Sequence, residues 1–177
     1  MKYLFKSSRL GFRNWEEKDL LPMTALNQDK EVMKYFPDVQ NEQQTRKLVT
    51  SMQQHFEANG FCYFAVDTLE DEEFIGFIGL MTKVYLEELG ELVDIGWRLR
   101  KGAWGNGYAT EGAMACLKYG FENLGLDKIY AVCPAVNLKS EAVMKKIGMK
   151  KLQHFEYSKL KNDARLRECL LYQIQKS

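Results

Sequence analysis

The sequence predicts an α+β fold in which helices flank a central mixed, mostly antiparallel sheet. Helical spacing of apolar residues up to Gly60 gives way to alternating, strand-like runs between residues 61 and 99. From residue 100 onward, helices and strands alternate without forming a strict βαβ repeat. The chain has 177 residues, which suits one domain, and it contains no linker or repeat. We therefore assign residues 1–177 to a single domain.

The first sixty residues predict one short strand followed by three helical segments. The strand covers residues 9–13, and the helical segments cover residues 15–26, 30–36 and 41–60. The second segment ends at Pro37, because a proline disfavours helical backbone in the residue before it. Asn41 begins the clearest helix, since its side chain can cap the first turn and Gln44 can complete a capping box.

The remaining elements are predicted from changes in the spacing of apolar residues and from the glycines or prolines that end each segment. Strands over residues 61–66, 74–80 and 92–99 predict an antiparallel meander. A helix is expected over residues 108–123, a strand over 129–133, a second helix over 137–148, and final strands over 150–157 and 166–174. Asn137 is expected to cap the second of these helices and Gly148 to end it.

Charge and cysteine content exclude several classes of protein. Twenty-five Lys and Arg residues face 24 Asp and Glu residues, a balance that argues against a nucleic-acid-binding protein. The sequence has neither an apolar run of membrane-spanning length nor a signal-peptide core, so we expect a cytoplasmic protein without membrane contact. Its four cysteines stand singly beside only two histidines, so we expect buried thiols and no metal site.

The most informative motif is a glycine-rich loop over residues 102–107, between a strand and a helix. Its glycines free backbone N–H groups to converge on an anion, and the helix N-terminus adds partial positive charge. Tyr108 and Ala109 replace the Lys-Ser/Thr pair of a Walker A loop, which excludes that interpretation. Thr110 replaces the third glycine of a dinucleotide fingerprint, which makes an NAD-dependent protein a weaker alternative.

Two stretches of the sequence resemble the GNAT acetyltransferases. The first combines residues 94–99 (DIGWRL) with residues 104–111 (WGNGYATE), and it resembles the cofactor-binding core of that family. The second combines residues 137–140 (NLKS) with residues 143–149 (VMKKIGM) and resembles the motif that follows. Residues 9–13 (RLGFR) and 31–36 (EVMKYF) are similar to the RimJ/RimL-like branch, which is related to ribosomal-protein N-acetyltransferases.

The resemblance implies a GNAT-like domain whose sheet splays at a cleft for acetyl-CoA, the co-substrate. Backbone N–H groups of the glycine loop would hold the pyrophosphate, and the exposed edge of the preceding strand would pair with the pantetheine amides. Gly96 is expected to mark a bulge that opens the cleft. The implied cofactor-binding residues are Trp97, Arg98, Leu99, Gly102, Trp104, Gly105, Asn106, Gly107, Tyr108, Ala109, Thr110 and, on the far wall, Asn137.

The resemblance also implies direct transfer of the acetyl group to a primary amine, either a protein N-terminus or a small molecule. Asp94 is the first candidate base, acting through a water, and Glu91 is the alternate. Ser140 is the candidate acid for the leaving thiolate, and Asn137 belongs to the implied catalytic set with Asp94 and Ser140. Many family members carry a tyrosine acid at the position of Met144, so that acid is absent from this chain.

Further expectations concern the acceptor and the class of protein. An acidic run formed by Glu87, Glu88 and Glu91 together with Asp94 is expected to attract a cationic amine at the mouth of the cleft. By analogy with the fold, the walls of the acceptor pocket are expected to come from residues 15–60, including Trp15, Tyr35 and Phe36, and from the loop over residues 157–165. A monomer or a homodimer is expected. The alternative is a non-catalytic CoA-binding or regulatory module with the same fold.

Overall fold

The computed structural model describes residues 2–176. Its strands are β1 (Phe5–Lys6), β2 (Leu10–Arg13), β3 (Tyr63–Thr68), β4 (Phe74–Lys83), β5 (Leu92–Leu99), β6 (Lys128–Pro134), β7 (Lys150–Glu156) and β8 (Glu168–Gln175). Its α-helices are α1 (Leu20–Gln28), α2 (Glu42–Asn59), α3 (Tyr108–Glu122) and α4 (Leu138–Lys146). Short 3-10 turns lie at Glu17–Asp19, Val32–Tyr35, Glu87–Leu89, Lys101–Ala103 and Ser158–Leu160. The predicted α+β class is confirmed.

The described strands form one open sheet in the order β1-β2-β3-β4-β5-β6-β8-β7. Neighbouring strands are antiparallel except for β5 and β6, which are parallel. The expected antiparallel meander corresponds to β3, β4 and β5, and it is confirmed. The expected mixed, mostly antiparallel sheet is therefore confirmed as well.

Helices cover both faces of the sheet. Neighbouring residues of a strand point to opposite sides, and the strands have apolar residues on both sides that need to be buried. On one face, α3 packs on β4 and β5 so closely that a β-carbon on Gly112 would lie 2.3 Å from the Ile78 Cδ1 atom. On the other face, α1 contacts α2 and β4. There, Arg98 of β5 donates a hydrogen bond of 2.6 Å from Nη1 to the side-chain oxygen of Asn27 in α1.

The start of α2 forms as its sequence predicts. The Asn41 side chain accepts a hydrogen bond of 2.9 Å from the Gln44 backbone N–H, and the Gln44 side chain accepts one of 2.9 Å from the Asn41 N–H. At the other end, Gly60 has a φ angle of +77°, which residues with a side chain rarely adopt. The capping box and the glycine stop are both confirmed.

Two boundaries differ from the prediction in ways that affect the cleft. The strand predicted over residues 74–80 continues to Lys83, because Thr82 and Lys83 pair with Val93 and Leu92 of β5. Their polar side chains hide this extension from a search for apolar alternation. The helix predicted over residues 15–26 is a 3-10 turn followed by α1, and it reaches Gln28.

The described residues contain no helix that is both long and apolar enough to cross a membrane. The four cysteines are unpaired and buried, as predicted from their apolar neighbourhoods. Burial raises the pKa of the Cys133 thiol to about 12, so this residue stays protonated at neutral pH.

A buried ion network holds the segment before α1 against the sheet. The Arg13 guanidinium is hydrogen bonded to both carboxylate oxygens of Asp19, at 2.6 and 2.8 Å, and to both of Asp67, at 2.8 Å each. All three side chains are at most 3% exposed. Just beyond, the Trp15 indole donates a hydrogen bond of 2.7 Å to the Tyr63 carbonyl of β3. The network therefore fixes the layer that covers one face of β5.

Replacing Arg13 by Gln should lower the free energy of unfolding by about 3–5 kcal/mol, because two carboxylates would lose the cation that compensates their burial. Arg46→Gln is the matched control, since it breaks an exposed ion pair with Glu17 and should change stability by at most about 1 kcal/mol. Urea unfolding of both variants measures the difference. Equal losses would show that the buried network contributes no more than a surface pair.

Candidate active site

The cleft lies where β5 and β6 separate. These two strands share one register pair, Asp94 with Tyr130, whereas β5 stays paired with β4 from Leu92 to Leu99. Beyond Asp94, the edge of β5 that faces β6 therefore has no strand partner within the described part of the chain. The predicted splaying of the sheet is confirmed.

Two cavities adjoin across the splayed strands. The larger, the loop cavity, has a volume of about 450 Å³ and lies between the glycine loop, the first turn of α3 and α4. The smaller, the carboxylate cavity, has a volume of about 260 Å³ and contains Asp94. The residues that line both cavities are Tyr35, Phe36, Trp97, Arg98, Asn137 and Ser140.

The loop cavity is shaped to hold an anion. Gly105 and Gly107 both have φ angles of +80°, and Gly107 begins α3 without any side-chain cap. The first N–H groups of a 15-residue helix are therefore left without a capping side chain beside this cavity. Lys139 and Lys146 add positive charge to the opposite wall. The Lys139 ammonium lies 4.9 Å from the centre of the Trp104 ring, across the cleft.

The loop is braced by Arg9, which lies in the RLGFR motif but was not predicted to belong to the site. Its Nη2 atom donates a hydrogen bond of 3.0 Å to the Asn106 carbonyl, and its guanidinium lies 4.7 Å from the centre of the Tyr108 ring. Glu111 holds Arg9 in place by accepting hydrogen bonds of 2.7 Å from both its backbone N–H and its Nε atom. The alternation around Arg9 indicated a strand, but not which part of α3 the strand would meet.

The structure brings most of the predicted cofactor-binding residues together. Those that line the loop cavity are Trp97, Arg98, Leu99, Trp104, Gly105, Gly107, Tyr108, Ala109, Thr110 and Asn137. Gly102 and Asn106 line neither cavity. Gly102 lies in a 3-10 turn, and the Asn106 side chain donates hydrogen bonds to the carbonyls of Ala103 and Trp104, so both shape the loop. The Leu99 carbonyl already accepts a hydrogen bond of 2.8 Å from the Trp104 indole.

Asp94 is buried in the carboxylate cavity and is only 2% exposed. Its Oδ2 atom accepts a hydrogen bond from the Tyr63 hydroxyl, and its Oδ1 atom has no hydrogen-bond partner in residues 2–176. Burial raises the pKa of Asp94 to about 7, although the Tyr63 hydrogen bond and the nearby charge of Lys83 oppose the shift. A carboxylate with this pKa can take up a proton near neutral pH.

The expectation that Gly96 marks a bulge is wrong. Pairing of β4 with β5 runs without a shift through the Gly79–Gly96 pair. A β-carbon on Gly96 would lie 3.0 Å from the Tyr63 ring, so the glycine makes room for the phenol that reaches Asp94. The cleft opens where β5 and β6 separate, and β5 keeps an unbroken register with β4 along its whole length.

The phenols of Tyr63 and Tyr85 and the amine of Lys83 line the carboxylate cavity, and the sequence analysis did not single them out. Burial raises the pKa of both phenols well above 10, so they remain hydrogen-bond donors. Burial lowers the pKa of Lys83, while Asp94 opposes this shift. Lys83 could have been predicted from the polar residues Thr82 and Lys83, which follow the apolar part of β4 and still pair with β5.

The other wall of the cleft is the start of α4. Asn137 caps this helix by accepting a hydrogen bond of 3.2 Å from the Ser140 N–H, and both residues line both cavities. Met144 is buried and lines the carboxylate cavity, so an apolar side chain lies at the position where the resemblance implies a tyrosine acid in many acetyltransferases.

The exposed glutamates of the acidic run and Trp15 were predicted at the cleft, but they lie outside both cavities. Glu87, Glu88 and Glu91 are exposed and line neither cavity, so these glutamates do not form a wall of the cleft. Trp15 belongs to the core, whereas Tyr35 and Phe36 line both cavities. The N-terminal layer therefore contributes to the cleft through its second 3-10 turn.

Comparisons with known proteins agree with this geometry. A family model described as an acetyltransferase (GNAT) domain matches residues 9–150. The chain is 34% identical over 152 residues to the uncharacterised N-acetyltransferase YnaD of Bacillus subtilis strain 168, covering 85% of this chain and 84% of that protein. It is 31% identical to a GNAT-family acetyltransferase of Bacillus anthracis, with a TM-score of 0.79 and 96% of each chain covered.

A further solved structure, the RimL ribosomal L7/L12 α-N-protein acetyltransferase in complex with coenzyme A, is similar with a TM-score of 0.78. It is 15% identical and covers 96% of this chain and 95% of its own, so the likeness shows a shared fold. The family model and the relatives above 30% identity confirm the resemblance seen in residues 94–149. This chain belongs to the GNAT acetyltransferase family.

Proposed function

We propose that this protein is an acetyl-CoA-dependent N-acetyltransferase in which a primary amine attacks the thioester directly. The observation that carries the proposal is the pair of adjoining cavities at the splayed strands. One is built around an uncapped helix N-terminus, and the other contains a buried carboxylate. The reaction requires a site for the anionic part of the cofactor and a proton acceptor. These two sites adjoin, because several of the same residues line both cavities.

The residues of the loop cavity fit coenzyme A. The backbone N–H groups of Tyr108, Ala109 and Thr110 hold the pyrophosphate, with Lys139 and Lys146 as cations on the facing wall. The unpaired edge of β5 at Trp97 offers backbone groups to the pantetheine amides, because the alternation of the strand turns those of Arg98 toward β4. When bound, acetyl-CoA supplies an acetyl group activated as a thioester.

Asp94 is the base of the proposed reaction. An amine is mostly protonated at neutral pH and has to lose a proton before it can attack. Asp94 Oδ1 lacks a partner and can accept this proton directly or through a water, while the Tyr63 hydroxyl keeps Oδ2 in place. The raised pKa brings Asp94 close to the working pH, where proton transfer is most effective.

Ser140 and the backbone of β5 serve the leaving group and the developing oxyanion. The Ser140 hydroxyl lies in the first turn of α4 and lines both cavities, so its proton is available to a departing sulfur. The Trp97 backbone N–H, on the unpaired edge of β5, is a fixed donor for the oxyanion, because the ladder directs the neighbouring Arg98 N–H toward β4. The acceptor is a protein N-terminus or a small-molecule amine.

Release of free thiol from acetyl-CoA in the presence of an amine panel tests this function. The panel should include N-terminal peptides, polyamines, amino acids and aminoglycosides, with thermal stabilisation by CoA, acetyl-CoA and NAD measured in parallel. Stabilisation by CoA without thiol release from any amine would favour the alternative, a non-catalytic CoA-binding module. Stabilisation by NAD alone would contradict both.

Replacing Asp94 by Asn should lower kcat/KM by about 10²–10⁴-fold, the range for loss of a general base. In the wild type, kcat/KM should rise with pH through about 7 as Asp94 loses its proton, and the variant should lack this ionisation. Glu91→Gln is the control, because Glu91 is exposed and lies outside both cavities. An unchanged rate in Asp94→Asn would remove Asp94 as the base.

The same carboxyl group should make stability depend on pH. Its pKa is about 7 in the folded protein and about 3.9 in an unfolded chain, so the folded state holds a proton that the unfolded state loses. This contribution to the free energy of unfolding is fully present below about pH 4 and is lost as pH rises through about 7. Between pH 5 and pH 8, Asp94→Asn should therefore lose less stability than the wild type in urea titrations.

Replacing Gly107 by Ala should weaken CoA binding by about tenfold, because alanine at a φ of +80° is strained by about 1–2 kcal/mol and displaces the start of α3. Space is not limiting, since the nearest atom to an added β-carbon is Arg9 Nη2 at 3.6 Å. Gly60→Ala is a matched control with φ of +77° and no neighbouring atom within 4 Å. Calorimetric titration with CoA should detect a loss of affinity only for Gly107→Ala. An equal loss in both variants would contradict CoA binding at the loop cavity.

A further inference from the structure

The carboxylate cavity has an unusual balance of charge. Its lining includes one carboxylic acid, Asp94, and two basic side chains, Lys83 and Arg98. Burial raises the pKa of Asp94 and lowers that of Lys83, so it reduces the charge of both groups. The basic side chains of the lining still outnumber the acid by two to one.

Lys83 lies beside Asp94 on the same face of the sheet. Met81 pairs with Asp94, and Lys83 follows two residues later on β4, so the side chains of Lys83 and Asp94 point to one side. The Lys83 ammonium is 5.5 Å from the centre of the Tyr63 ring, whose hydroxyl is bonded to Asp94. Within residues 2–176, no carboxylate oxygen lies within 4.0 Å of the Lys83 Nζ atom, so Lys83 forms no ion pair there.

Arg98 is a second cation without an anion, at the boundary of the two cavities. It is 9% exposed, lies 4.0 Å from the centre of the Phe36 ring and 5.3 Å from that of Phe77, and hydrogen bonds to Asn27. Its Nε atom has no hydrogen-bond partner, and in the described part of the chain no carboxylate lies within 4.0 Å of its guanidinium. Buried charged side chains are almost always paired in proteins. The missing partner is consistent with a site completed by a ligand anion.

We propose that the acceptor is a small amine that also carries a carboxylate, as a free α-amino acid does, and that Lys83 binds this carboxylate while Asp94 takes the amine proton. The proposal rests on the proposed function, because it identifies the acceptor of that reaction. Lys83 is a specificity-determining residue in it, and Arg98 adds positive potential that favours the anion.

Charge and size both separate this acceptor from other amines. A polyamine would place further cations beside Lys83 and Arg98, which like-charge repulsion disfavours. The cavity volume of about 260 Å³ lies just below the range of about 300–1,000 Å³ that drug-sized ligands fill, so it suits a small acceptor. Leu48, Phe77 and Tyr35 line the same cavity and offer apolar and aromatic surface to a side chain.

Matched pairs of amines that differ only in the carboxylate test the proposal. We suggest L-phenylalanine against phenethylamine and L-leucine against isopentylamine, with spermidine and an N-terminal peptide as further acceptors. The enzyme variants are Lys83→Met, which removes the charge and keeps most of the length of the side chain, and Lys83→Arg, which keeps the charge. Lys118→Met is the control, because Lys118 is exposed on α3 and lines neither cavity.

The wild type should prefer the amino acid of each pair by about tenfold or more in kcat/KM, a typical effect for a charge-assisted contact. Lys83→Met should remove this preference, mainly through KM for the amino acid, while Lys83→Arg and Lys118→Met keep most of it. Comparing preferences between enzyme variants cancels the different basicity of the two amines.

Three results would overturn the proposal. A wild-type preference for the plain amines or for spermidine would do so while leaving the acetyltransferase function intact. An equal loss for both members of each pair in Lys83→Met would show that Lys83 acts only on Asp94. Absence of thiol release with every acceptor would reject the proposed function itself, and the acceptor proposal with it.

Discussion

The separation of β5 from β6 after one shared register pair is the constraint on which the rest of the site depends. Backbone N–H and C=O groups need partners when they are removed from water, so an unpaired strand edge inside a fold calls for a ligand or for solvent. Here the open edge lies between an uncapped helix N-terminus and a buried carboxylate. The cleft therefore exposes backbone groups between these two features while β5 keeps its pairing with β4, and the proposed function uses this open edge.

Holding this cleft open requires rigid layers on both faces of the sheet. Gly112 brings α3 against Ile78 on one face, which aims the first turn of that helix at the loop cavity. On the other face, Arg13 ties the segment before α1 to β3, and Asn27 of α1 holds the side chain of Arg98. The guanidinium of Arg13 is thus paired with carboxylates of its own chain, whereas in the cleft the Oδ1 atom of Asp94 and the Nε atom of Arg98 have no partner among the described residues.

Much of the fold could be predicted because local patterns are strong in this chain. The capping box at Asn41, the meander of three strands and the glycines before α3 each follow from residues close together in sequence. The predicted bulge at Gly96 was wrong because an isolated strand glycine has more than one cause. Its cause here is the ring of Tyr63, a residue on another strand, and no local pattern contains that information.

The sequence by itself indicated most of the elements in their order, the glycine loop and the family, since these depend on neighbouring residues and on recognisable motifs. The two-residue strand β1 was not predicted. The tertiary structure alone decided which side chains surround Asp94. Tyr63, Lys83 and Arg98 come from three different strands, and they meet because antiparallel register places residues distant in sequence on one face of the sheet. Burial then shifts the pKa of Asp94, and burial is a property of the packed layers, which a linear sequence does not display.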